Sequence, residues 1–111
     1  MAPEGFRKLA MSMPVAEERE HMHHPDFRVG GKIFASLGYP DEHWAMVKLT
    51  AGQQKRLTAA HPEVFVPVKG AWGKQGCTSV RLSTATPQLA RSALRIAWQN
   101  AAPRRSVGTA G

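Results

Sequence analysis

The sequence predicts a two-layer α+β domain, a five-stranded antiparallel sheet with its helices on one face, in the order α-β3-α-β2-α. Three observations lead there. A Gly30-Gly31 pair sits between two short apolar runs, and glycine reaches φ > 0 without a Cβ penalty, so the pair reads as the loop of a hairpin. Apolar side chains recur with the helical period near both ends of the chain. Between these stripes, short β-rich runs are separated by Pro and Gly turns too brief for a parallel crossover, so neighbouring strands run antiparallel.

Phe6, Leu9, Ala10 and Met13 fall at i, i+3, i+4 and i+7, one face of a helix that ends at Pro14, with Arg7, Lys8 and Ser12 on the wet side. Residues 17–24 are mostly Glu and His and read as an edge strand whose charges resist further pairing. That strand runs on into the first arm of the hairpin, which ends at Val29; the second arm spans residues 32–37. Pro40-Asp41-Glu42 makes a turn, and residues 43–49 form the third strand. Thr50 and Gln53 have capping-box spacing and open a helix running to about Ala60, with Leu57 and Ala60 inward and Gln54, Lys55 and Thr58 outward.

Residues 64–68 form a fourth strand, and Pro67 marks it as an edge or a strand end. Residues 69–76 read as a mobile, basic, glycine-rich loop, and residues 78–83 as the fifth strand, with Val80 and Leu82 sharing a face. Pro87 suits the first turn of the last helix, whose apolar stripe is Ala90, Ala93, Leu94, Ala97, Trp98 and Ala101. Arg91, Arg95 and Gln99 lie opposite that stripe. The expected organisation is one domain over residues 1–103 and a short flexible basic tail over 104–111.

An apolar fraction of 42% excludes wholesale disorder, and no apolar run reaches the roughly 18 residues of a membrane span. The lone Cys77 excludes an internal disulfide framework, and the N-terminal residues lack the apolar core of a secretory signal. These features predict a cytoplasmic protein with no membrane partner. Charge is divided unevenly: residues 1–42 hold five basic and seven acidic side chains, residues 43–111 ten basic and one acidic. A field of that kind suits a polyanionic partner.

The stretch His24-Pro25-Asp26-Phe27-Arg28-Val29, followed by Gly31-Lys32-Ile33-Phe34-Ala35, resembles the MmcQ/YjbR family of small bacterial proteins. Val47-Lys48-Leu49, the helix after Thr50, and Val80-Arg81-Leu82 before the last helix extend the resemblance over about residues 5–102. It implies the secretion-chaperone-like fold, in agreement with the order above. It also implies a family without an established reaction or agreed catalytic residues, likened by fold to DNA-binding domains. The resemblance also implies a bulky aromatic residue entering the last strand in many relatives, where this chain reads Gly76-Cys77-Thr78; either Trp72 replaces it or the spot is more open here.

Alternation along the strands supplies the candidate site. With Ile33, Ala35, Leu37, Ala45, Val47 and Leu49 facing the helices, Lys32, Phe34, Trp44, Met46, Lys48 and Arg81 share the helix-free face. Aromatic rings among cations suit single-stranded nucleic acid, with bases stacking and cations holding phosphates. Lys69 and Lys74 add charge from the glycine-rich loop, which can act as a wing against a DNA backbone. The expected binding set is therefore Lys32, Phe34, Trp44, Lys48, Lys69, Lys74 and Arg81. The alternative is a protein-interaction surface, for a homodimer or a chaperone-like partner, built from the same face; a bulge that inverts the alternation would instead turn Phe34 and Trp44 inward. Neither reading calls for a cofactor.

No catalytic constellation is visible. The 69–76 loop lacks the phosphate-loop pattern, and no serine has a base at readable spacing. His21 and His23 share a strand face while His24 points away, so a metal would need Asp26 or His43 to complete its shell. Cys77 has Lys74 nearby but no acid–base partner, and reads as a half-buried strand residue. The expectation is a binding protein with no enzymatic activity and no metal.

Overall fold

Turn chemistry and capping divide the chain as the pattern predicts, with three departures. The computed structural model describes residues 1–103; the tail expected at 104–111 lies outside the described residues. In chain order the elements are α1 (Pro3–Met11), β1 (Glu17–His21), β2 (His24–Val29), β3 (Lys32–Leu37), β4 (Trp44–Lys48), α2 (Ala51–Ala60), β5 (Phe65–Pro67), α3 (Ala71–Lys74), β6 (Cys77–Arg81) and α4 (Pro87–Ala101). One antiparallel sheet has the order β1-β2-β3-β4-β6-β5.

The core lies between this sheet and the helices. Ala90, Ala93, Leu94 and Ala97 of α4 are fully buried, and their small side chains let the helix sit close to β3 and β4. Phe6 and Ala10 of α1 and Met13 just after it close the layer, with the Phe6 ring tilted against Phe27 at 6.4 Å. Thr86 caps α4 by accepting from the Leu89 amide, and Pro87 occupies the first turn. The capping box of α2 is formed in both directions: the Thr50 amide donates to Gln53 Oε1 at 2.8 Å and the Gln53 amide to Thr50 Oγ1 at 3.2 Å. Leu57 of α2 is partly buried, whereas Ala60, expected inward, is exposed. Among the described residues, no helix is long and apolar enough to cross a membrane.

The first departure is a sixth strand. The run 17–29 folds back on itself at Met22 and His23, which take φ values of 51° and 69°, and β1 pairs with β2 from Glu17↔Arg28 to His21↔His24. Two successive positive φ angles are the geometry of a two-residue hairpin turn. Neither residue belongs to the Gly, Asn and Asp group that normally signals such a turn, so the pattern reads straight through it.

The second departure is a bulge in β3. Phe27 pairs with Ala35, yet the next residue, Arg28, pairs with Ile33, leaving Phe34 as an extra residue. Phe34 and Ala35 are consecutive and both fully buried in the same core cluster, whereas regular alternation would turn them to opposite faces. Phe34 therefore belongs to the core and not to the helix-free face. Beyond the bulge the faces invert: Ile33 lies opposite Arg28 on the helix-free side, and Lys32 lies opposite Val29 at the exposed strand end.

The third departure is α3, a single helical turn where a mobile loop was expected. Gln54 of α2 donates from Nε2 to the Gly73 carbonyl at 2.9 Å and the Cys77 carbonyl at 3.0 Å, tying the turn and the start of β6 to α2. A Cβ on Gly73 would lie 1.6 Å from the Val68 carbonyl oxygen, so only glycine allows this approach.

Candidate nucleic-acid interface

The helix-free face is read from β4 outward. Its alternate residues Trp44, Met46 and Lys48 are half-buried, while Ala45 and Val47 between them are fully buried. Directly opposite residues of neighbouring strands share a face. Trp44 is thus set against Arg81, Met46 between Ser36 and Ser79, and Lys48 against Cys77.

This register places the Arg81 guanidinium over the Trp44 ring, 4.6 Å from its centroid. At the other end of β4, Lys48 Nζ lies 5.9 Å from the Trp72 centroid. Trp72 stands on α3 and is 62% exposed, which leaves most of its ring surface available. Two cation–aromatic pairs therefore bracket the apolar Met46 along a single strand.

Lys32 and Lys48 meet elsewhere. They line an open depression of about 420 Å³ where β3 and β4 end beside the C-terminal turn of α4, with Arg28 and Ile33 on the sheet side. Arg28 is partly committed: its Nε and one terminal nitrogen donate to the two oxygens of Asp26 at 2.8 and 3.1 Å. This bond to the buried Asp26 carboxylate raises the guanidinium pKa above its usual value. The pair was available in the sequence, because Asp26 and Arg28 at i and i+2 on a strand share a face.

Lys69 and Lys74 flank Trp72 on the α3 segment, both exposed. Of the seven residues expected to form the interface, the sheet thus joins Trp44 with Arg81, the depression joins Lys32 with Lys48, and Lys69 and Lys74 stand apart on the rim. Phe34 is removed by the bulge. Among the described residues, Lys32, Lys48, Lys69, Lys74 and Arg81 form no ion pair with a carboxylate.

Other reactive side chains are placed differently. Cys77 is 7% exposed, and burial pushes its thiol pKa up, against the opposing pull of the Lys48 charge. His21 and His24 face each other across the β1–β2 ladder, while His23 occupies the turn with Nδ1 4.0 Å from Glu20. Among the described residues, no three His, Cys, Asp or Glu side chains are grouped as a metal would need.

A family model described as YjbR matches residues 11–100. No curated protein matches the chain. Among solved structures, the fold is similar to the crystal structure of Deinococcus radiodurans protein DR2400, which has the family-model domain DUF419. The TM-score is 0.71, with 19% identity over 87% of this chain and 75% of that one. At that identity the likeness is one of fold. It supports the antiparallel α+β architecture derived above.

Proposed function

The chain belongs to the YjbR family, and on that premise we propose that it is a non-catalytic module that binds single-stranded nucleic acid on the helix-free face of its sheet. The observation that carries this reading is the half-exposed Trp44–Arg81 pair, 4.6 Å apart across β4 and β6, with Lys48 at the other end of β4 and Trp72 beside it. Magnitudes favour a base at Trp44. An exposed cation–π contact contributes about 0.5–1 kcal/mol, whereas a base stacked on an aromatic ring contributes about 1–3 kcal/mol. A base can therefore displace the guanidinium and release Arg81 to a phosphate. Trp72 offers a second stacking surface, and Lys48, Lys69 and Lys74 supply backbone contacts.

A binding role rather than a reaction fits the state of the reactive groups. The Cys77 thiol is buried and held protonated, and Asp26 is committed to Arg28. The histidines are spread around a hairpin turn instead of converging.

Fluorescence-anisotropy titrations with single- and double-stranded DNA and RNA, at low and near-physiological salt, test the proposal. Four interface cations, Lys48, Lys69, Lys74 and Arg81, give an expected slope of log affinity against log salt of about −2 to −3 for a single strand. Trp44→Ala should weaken binding about tenfold with little change in slope, and Arg81→Ala should flatten the slope by about 0.7. Binding that ignores Trp44 would overturn the stacking surface. If nucleic acid does not bind while the protein self-associates independently of salt, the face is a protein interface instead.

A further inference from the structure

The helical layer has a second concave site, on different elements from the proposed interface. Arg91, Arg95, Trp98 and Gln99 of α4 face the segment Ser12–Met13–Pro14 that follows α1, and together they enclose about 470 Å³. This volume lies in the range of small-ligand pockets. We propose that this cavity binds a phosphate monoester, the phosphate held between Arg91 and Arg95 and the organic body against Met13, Pro14 and the Trp98 indole.

Charge is the first argument. Arg91 and Arg95 are one helical turn apart, a spacing at which like charges repel, and neither has a carboxylate partner among the described residues. A dianion between them relieves that repulsion, and two planar guanidinium forks can bind several phosphate oxygens at once. The nearby C-terminus of α1 does not oppose this. Its carbonyls at Lys8, Leu9 and Ala10 are occupied by the Ser12 amide, the Ser12 hydroxyl and the Met13 amide.

The shape of the wall is the second argument. The Trp98 indole N–H donates to the Pro14 carbonyl at 2.9 Å, and the Ala16 amide donates to the Met13 carbonyl at 3.2 Å. These bonds hold Val15 at a φ of 47°, a left-handed conformation that β-branched residues seldom adopt. Segment and indole are therefore fixed before any ligand arrives, an arrangement that lowers the ordering cost of binding. Met13, Pro14 and Trp98 line the cavity together with Arg91 and Arg95, a combination that suits a ligand with both an anionic and an apolar end.

The test follows the indole N–H resonances of the ¹⁵N-labelled protein during titration with phenyl phosphate, inorganic phosphate and phenol. The proposal expects the Trp98 signal to move saturably with phenyl phosphate and to saturate at concentrations about tenfold lower than with inorganic phosphate. Phenol should have no effect. Arg91→Gln and Arg95→Gln should each weaken phenyl phosphate binding about tenfold, since a charge-assisted hydrogen bond is lost in each case. Unchanged thermal midpoints would establish that both variants remain folded. An equal response to inorganic phosphate overturns the monoester assignment. A response that is non-saturable, survives both substitutions, or moves Trp44 or Trp72 in place of Trp98 overturns the site.

Discussion

Phe34→Ala separates the bulged sheet from a regularly alternating one. The ring is fully buried beside Ala35, so truncation removes a large core side chain and leaves a cavity. Losses of that kind are about 3–5 kcal/mol. Unfolding entropy of about 2.1 cal/mol/K per residue, over 111 residues, converts each kcal/mol into roughly 4 °C of melting temperature. The expected drop is therefore roughly 12 to 20 °C, measured by calorimetry and checked by urea denaturation at low temperature, where the variant is still folded. Phe34→Leu is the companion: it keeps most of the volume, should lose about 1 kcal/mol, and should keep its nucleic-acid affinity. Regular alternation makes the opposite prediction, with Phe34 outside, a stability change within about 0.5 kcal/mol and reduced affinity. A Phe34→Ala variant of unchanged stability would refute the bulge, and so would a fully stable Phe34→Leu with impaired binding.

Gly76→Ala should destabilise by more than about 3 kcal/mol in urea melts, because its Cβ would lie 1.9 Å from the Leu49 carbonyl oxygen at a φ of 114°. Gly31→Ala, with φ of 80° but nothing within 4 Å, should lose only about 1 kcal/mol. A double-mutant cycle on Trp44 and Arg81 should give a stability coupling of about 0.5–1 kcal/mol, and a coupling near zero would mean that the contact is not kept in solution. Burial raises the Cys77 thiol above its ordinary value of 9.0, so the folded chain keeps a proton that the unfolded chain releases. Stability should be constant below that pH and fall as pH rises from it toward the raised value, and Cys77→Ala should remove this slope from urea midpoints.

What could be read from the sequence depended on whether a residue type announces its backbone state. Gly30-Gly31 does, and the loop lies where predicted, with both φ angles positive. Thr50 with Gln53 and Pro87 do as well, because capping and a fixed φ are local properties. The Met22-His23 turn carries no such mark; it is held by pairing across the whole β1–β2 ladder, which is tertiary information. The bulge is similar. Lys32 to Leu37 alternates well enough as a string, and only the mismatch in pairing with Phe27 and Arg28 shows that Phe34 is supernumerary. The face of β4 was legible because nothing interrupts its register with β3 and β6. The candidate site inherits both outcomes. Its Trp44, Lys48 and Arg81 stand where alternation puts them, while Phe34 and Lys32 do not.

The division of charge in the sequence becomes a spatial one through the strand order. Seven of the eight carboxylates belong to residues 1–42, and three of them, Glu17, Glu18 and Glu20, lie on the edge strand β1. Several are spent locally: Glu4 and Glu18 on Arg7, Glu17 on Arg19 and Asp26 on Arg28. From β4 onward the single carboxylate is Glu63, 3.8 Å from His61. Strands in a sheet are about 4.8 Å apart, so the charges of β1 lie roughly 14 Å from β4 and farther from β6. That exceeds the Debye length of about 8 Å at physiological ionic strength. The acidic edge therefore does little to cancel the field over β4 and β6, whereas Asp41 and Glu42, in the turn that leads into β4, offset part of it at the Trp44 end. At 0.01 M salt the screening length grows to about 30 Å, and the two regions act on the same ligand. Under the proposed function, the salt dependence of binding near physiological ionic strength should therefore count the cations of the β4–β6 side, with a bound single strand running along β4, away from β1.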